Sequence, residues 1–170
     1  MKGIIRYFFL FLSFLLLQVF LARNIDLGYG FHLFLLPLFI MILPFETPVF
    51  ILMLLGFLLG IIADSIMNSY GLNASSLVLF AYLRPIVFQT FTPKEGYDVL
   101  KKPVLPEMGW TWFVFSYGLL LFIYLVWFFF LEVFSLNEWV LIVRNSFFSF
   151  IFSFSVALIL QLFFRKQPLA

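Results

Sequence analysis

The stretch TPVFILMLLGFLLGIIAD, Thr47–Asp64, decides the fold class. After the Thr47-Pro48 start it runs for fifteen residues without a polar side chain, and the first charge is Asp64. Its apolar residues are continuous and do not alternate, which fits a buried or lipid-embedded helix and not a barrel strand. Pro48 at the first helical position with Thr47 as N-cap gives the helix start. Gly56, Gly60 and Asp64 recur every four residues, so a small-residue groove and a carboxylate share one face of this helix.

The same pattern extends outward in both directions. Of the 170 residues 65% are hydrophobic and only 11% are charged, and a soluble domain would carry roughly a quarter charged residues. A chain of this size buries only about 70% of its unfolded surface, so that excess cannot be hidden from water. Lipid is therefore the expected solvent, and in lipid the backbone must satisfy its own hydrogen bonds. The reading is an all-α polytopic membrane protein: one membrane domain over residues 1–170 with six transmembrane helices. The spans are expected at about 4–22, 31–45, 49–67, 74–91, 110–131 and 139–164, with one long polar connection at 92–109. The first span follows Lys2 and Arg6 and ends without a small-x-small site, so it is read as an uncleaved span. Pro37 is expected to kink the second span, and Gly71 to stop the third.

Charge sets an expected orientation. Lys2, Arg6, Lys94, Lys101, Lys102, Arg165 and Lys166 fall on one side and only Arg23 on the other, which places both termini and the 92–109 loop in the cytoplasm. The basic residues flank apolar runs and form no stripe, so nucleic acid is not an expected partner; the lipid bilayer is. With no cysteine and one histidine, His32, neither a thiolate nor an imidazole metal site is expected, and no cofactor is implied.

Three charges lie inside the spans: Asp64, Arg84 and Arg144. At about 1.5 Å per residue, Asp64 and Arg144 share a depth roughly 5 Å below the outer end, and they form the expected pair. Arg84 lies roughly 15 Å down and is expected to snorkel toward Glu46. One shallow acid is too little for a proton relay, and no catalytic constellation is present, so these charges read as structural and the chain as a non-enzyme. Gly56 and Gly60 read as helix-packing residues.

Gly56-x3-Gly60-x3-Asp64, then Gly71-Leu72-Asn73-Ala74, then Leu83-Arg84-Pro85 resemble the rod shape-determining protein MreD family. Leu17-Gln18-Val19, Leu43-Pro44, residues 92–97 and Phe130-Leu131-Glu132 agree, so the resemblance covers essentially the whole chain, with Gly71, Asn73 and Pro85 as motif residues. The resemblance implies a non-enzymatic scaffold or regulator of lateral peptidoglycan elongation in the bacterial inner membrane. It implies an MreC-like bitopic partner, with MreB, RodA and a penicillin-binding transpeptidase reached directly or indirectly. It also implies a fold similar to the substrate-binding components of energy-coupling-factor transporters. A vitamin-binding component of that kind is the alternative function, and it would need a ligand pocket at the outer side.

Overall fold

The structure, a computed structural model, describes residues 2–24, 30–92, 97 and 101–163. Those residues are helical with no strand. The elements are α1 (Lys2–Asn24), α2 (Leu36–Met41), α3 (Val49–Met67), α4 (Leu72–Thr90), α5 (Leu105–Met108), α6 (Trp110–Val133), a 3-10 turn Leu136–Glu138, and α7 (Trp139–Leu162). Three helices, α3, α6 and α7, are long and apolar enough to cross a membrane, and α1 adds a shorter apolar run, Ile5–Leu21. α4 has 19 residues but carries Asn73, Ser75, Ser76, Arg84 and Gln89.

The long helices pack side by side in the order α1, α3, α4, α6, α7, and α2 packs among α1, α3, α4 and α6. We call the end where α1 begins the near end and the opposite one the far end. The outer surface is apolar and aromatic, with Phe8, Phe9, Phe50, Phe57, Phe147 and Ile159 all exposed. A contiguous exterior of this kind belongs to a membrane protein, for which lipid tails are the solvent.

The second expected span is corrected. Residues 31–45 hold only the six-residue helix α2, preceded by five residues of irregular backbone, 31–35. Pro37 sits in the first turn of α2 and starts it, because its fixed φ suits a first turn and it has no N–H to leave unpaired. From Leu33 to Leu43 every side chain is buried. Phe11 and Phe14 of α1 pack on Phe39, and Gln18 lies beside Leu33 and Leu35, so the segment runs antiparallel to α1 through the middle of the array.

Helix ends also differ from expectation. Thr47 does not cap α3; its hydroxyl donates to the Pro44 carbonyl at 2.9 Å. The residue that closes α3 is Asn68, in left-handed backbone at φ 56°, and Gly71, at φ 90°, opens α4. α4 begins at Leu72, two residues ahead of the expected start. The 92–109 connection is described at residues 92, 97 and 101–109, where it forms the short helix α5.

Candidate functional site

The candidate site is the set of polar side chains buried in the apolar array, because these are the residues that must act on something. The array holds two groups of them, one toward each end.

Toward the far end, Asp64 sits one turn from the end of α3. Its Oδ1 accepts hydrogen bonds from Ser69 Oγ at 2.6 Å, the Asn73 amide at 3.1 Å and Asn73 Nδ2 at 2.9 Å. Its Oδ2 accepts from the Ala74 amide at 2.9 Å. Asn73 and Ala74 are in the first turn of α4, so the carboxylate of one helix caps the N-terminus of the next. An anion there meets amides with no partner of their own and the positive end of the helix dipole. Asn73 Oδ1 then accepts from the Tyr124 hydroxyl at 3.0 Å, which ties the cap to α6. Asn73 is thus positioned both by Asp64 and by Tyr124.

The Gly56–Gly60 groove is filled from within the chain. A Cβ on Gly60 would lie 2.3 Å from the Ala74 Cα and 2.5 Å from its nitrogen, and one on Gly56 would lie 3.0 Å from the Leu77 carbonyl oxygen. α4 therefore occupies the groove, backbone against backbone. The open left-handed position of Gly71 lets the chain reverse tightly enough for that contact.

Toward the near end, Arg84 is 1% exposed. It does not snorkel to Glu46. Its Nη2 donates to the Met41 carbonyl at 3.2 Å and to that of Leu43, with the Pro44 oxygen at 3.4 Å. Met41 is the last residue of α2 and Leu43 and Pro44 follow it, so a buried cation sits at the negative end of a short helix, the mirror image of Asp64. The guanidinium carbon lies 4.6 Å over the Phe88 ring. Pro85 follows it in α4 and is partly buried.

The irregular backbone ahead of α2 is held by side chains on both flanks. Gln18 donates to the Leu33 carbonyl at 2.7 Å and accepts from the Leu35 amide at 2.6 Å. Ser149 Oγ accepts the His32 amide at 3.0 Å, and Ser153 Oγ accepts the Phe34 amide at 2.9 Å. Backbone buried in an apolar array has no water to bond, so such pairings are needed for the segment to exist there. Further along the same face of α7, Gln161 Oε1 accepts the Leu105 amide that starts α5, at 3.2 Å.

Arg144 does not meet Asp64. It lies against the Asn145 side chain, with nitrogens 3.2 and 3.3 Å from Oδ1, and over the Phe31 ring at 5.8 Å. The expected pair is corrected: both Asp64 oxygens are taken by Ser69 and the start of α4, because a capping carboxylate gains more from several aligned amides than from one partly exposed cation. Near it, His32 Nε2 stands 3.8 Å from Glu132 Oε1, both half-exposed.

Sequence reading missed Gln18, Ser149, Ser153 and Gln161 as functional positions. The signal was present in α7: Asn145, Ser149, Ser153, Ala157 and Gln161 repeat every four residues, and all are buried. In an otherwise apolar helix, such a stripe marks a face that must serve another segment's backbone.

Near-end aromatics complete the picture. Tyr97 donates to the Phe88 carbonyl at 2.6 Å and accepts from Trp112 Nε1 at 3.0 Å. Burial pushes its phenol up from the usual range. A cleft of about 370 Å³ opens beside it, lined by Phe91, Met108, Trp110, Trp112 and Phe115. Among the described residues no group of three His, Asp or Glu side chains could hold a metal. Comparison with family models, curated proteins and solved structures returned no match to this chain.

Proposed function

We propose that this protein is a membrane scaffold of the MreD kind, which works by holding partner helices and not by chemistry or transport. One observation carries the reading. The buried charges and most of the buried amide and hydroxyl side chains with a described partner are engaged in holding this chain's own backbone; the Tyr117 and Ser146 hydroxyls are buried with no hydrogen bond among the described residues. Asp64 caps α4, Arg84 caps α2, and Gln18, Ser149 and Ser153 hold residues 32–35. Phe34, Leu35 and Leu36, in the middle of the array, are each at most 1% exposed, which weighs against a ligand cavity there of the kind the vitamin-binding alternative needs.

The reading includes six crossings of a bacterial inner membrane. Five would be made by α1, α3, α4, α6 and α7, and the sixth by the 31–43 segment, whose side chains from Leu33 to Leu43 are all buried. Irregular backbone at membrane depth is tolerated when protein surrounds it. Exposed aromatics support two boundaries: Tyr70, Phe134 and Trp139 at the far end, and Phe50, Trp110 and Phe163 at the near end. Trp110 and Phe134 stand 24 residues apart along α6, about 36 Å at 1.5 Å per residue, which suits the roughly 30 Å hydrocarbon layer plus its interfaces. Even crossings put both termini on one side, the cytoplasm by the basic asymmetry. The partners are an MreC-like bitopic protein and, through it or directly, MreB, RodA and a penicillin-binding transpeptidase.

Because Gly56 and Gly60 are covered by α4, a partner helix would use one of the exposed apolar faces. The test is purification in mild detergent from cells expressing the tagged chain. An MreC-like protein should copurify stoichiometrically. An ATPase module in its place would overturn the reading. Single cysteines add a topology check: an impermeant thiol reagent on spheroplasts should label position 70 and spare 97, and the opposite pattern would reverse the orientation.

A further inference from the structure

Exposed hydroxyls on the long helices satisfy themselves locally. Ser13, Ser65 and Ser155 each donate to the carbonyl four residues back, at 2.7–2.8 Å, and Thr90 does so at 3.0 Å. Tyr82 differs. It is 52% exposed on α4, and among the described residues its hydroxyl has no hydrogen bond. A phenol stands too far from its own backbone to bond it. Tyr82 is ten residues from Leu72 and eight from Thr90, about 15 and 12 Å from the two ends of α4. Both distances exceed the reach of the side chain, so the hydroxyl does not snorkel to water. In hydrocarbon it needs a partner from outside the chain.

Tyr82 belongs to a seam. Ser75, Tyr82 and Gln89 stand seven residues apart and share one face of α4. That face points away from the array, because Ala74 and Leu77 meet α3 and Phe80 meets α6. Ser75 Oγ accepts from Trp127 Nε1 at 3.0 Å, and the exposed Gln89 amide has no hydrogen bond among the described residues. A seven-residue spacing drifts only about 20° per heptad on a straight helix, so a helix crossing at about 20° meets all three. The occupant that answers every position is a second copy. Two copies inserted in the same sense are related by an axis along the membrane normal, so each seam residue meets its own counterpart at its own depth. Serine, tyrosine and glutamine each both donate and accept, so each can pair with itself. No charged residue stands on the seam to repel its counterpart.

We propose that the Ser75–Tyr82–Gln89 face of α4 pairs two copies of this chain in the membrane, with the Tyr82 hydroxyls bonded across the two-fold axis. The proposal rests on α4 crossing the membrane and needs no other protein. The chain has no cysteine of its own, so single cysteines report on the seam. In native membranes oxidised with copper–phenanthroline, Leu79→Cys, Ile86→Cys or both should give a linked product of twice the chain's mass. Ile151→Cys, exposed on α7, should stay unlinked. Tyr82→Phe removes only a hydroxyl that bonds nothing described within the chain. It should keep folded yield and lower the dimerisation constant of the purified chain in mild detergent about threefold, the ratio that an average interhelical hydrogen bond of roughly 0.6 kcal/mol corresponds to. Absence of linking at both seam positions overturns the proposal. So does equal linking by Ile151→Cys, or a linked product of any other mass, which would give the face to a different chain. An unchanged constant in Tyr82→Phe overturns it as well. Labelling of Ile86→Cys by an impermeant thiol reagent in membranes would overturn the α4 crossing itself, whereas an unlabelled, unlinked variant overturns the pairing alone.

Discussion

The α3–α4 hairpin and the 31–44 segment solve the same problem by opposite means. Both must satisfy exposed backbone groups inside an apolar layer, and both use a buried charge at a helix end. In the hairpin, Asp64 reaches amides only nine and ten residues away. In the 31–44 segment, the helpers come from far along the chain: Gln18 at 17 residues, Arg84 at 43, and Ser153 at 119. The hairpin is a local unit that two helices and a turn can form together. The segment is stable only once α1, α4 and α7 stand around it. Local closure needs little chain entropy, whereas the segment's partners must be assembled first.

That contrast can be broken most severely at Gly60. Replacing it with leucine drives a side chain into the Ala74 backbone, which has no rotamer to yield with. The cost should exceed the roughly 1–3 kcal/mol of ordinary overpacking, and folded protein should be lost from size-exclusion profiles. Even Gly60→Ala should destabilise, and more than Gly56→Ala, whose new Cβ would sit at 3.0 Å from a carbonyl. If Gly60→Leu leaves folded yield intact, the groove is not filled by α4.

A smaller loss is expected at Arg84. Arg84→Met keeps much of the volume and strands the carbonyls that end α2, at about 3 kcal/mol given what charged hydrogen bonds and buried unsatisfied groups each contribute. Arg84→Lys should recover part of it. The measurement that sharpens the comparison is site-resolved hydrogen exchange: Arg84→Met should loosen residues 35–43 before the α3–α4 turn, and Asp64→Asn the reverse. Uniform loosening in both would show that the two regions unfold as one.

The smallest effect concerns Asp64 and Arg144. Asp64→Asn with Arg144→Gln should be additive within about 0.5 kcal/mol in thermal unfolding, because among the described residues Asp64 bonds Ser69, Asn73 and Ala74 while Arg144 lies on Asn145 and Phe31. A larger coupling would restore the pair that depth alone suggests.

What sequence determined here follows from composition and short range. The lipid-type surface, the helical class, the positions of α1, α3, α6 and α7, and the small-residue face with Asp64 can all be read from runs and four-residue spacings. The 68–73 turn between α3 and α4 is legible too, but Asn68 closes α3 where Gly71 is expected to, and Gly71 opens α4. Charge and depth put Asp64 with Arg144 because they ignore the amides that a neighbouring helix start offers. Only the tertiary structure decided that 31–45 is a short helix behind irregular backbone. Hydropathy reports how apolar a segment is, and Leu33–Leu43 is as apolar as any helix span. Whether such a segment becomes helical depends on whether other elements supply hydrogen bonds for the backbone it leaves open. Here Gln18, Ser149, Ser153 and Arg84 supply them, from positions that only the folded array brings to one place.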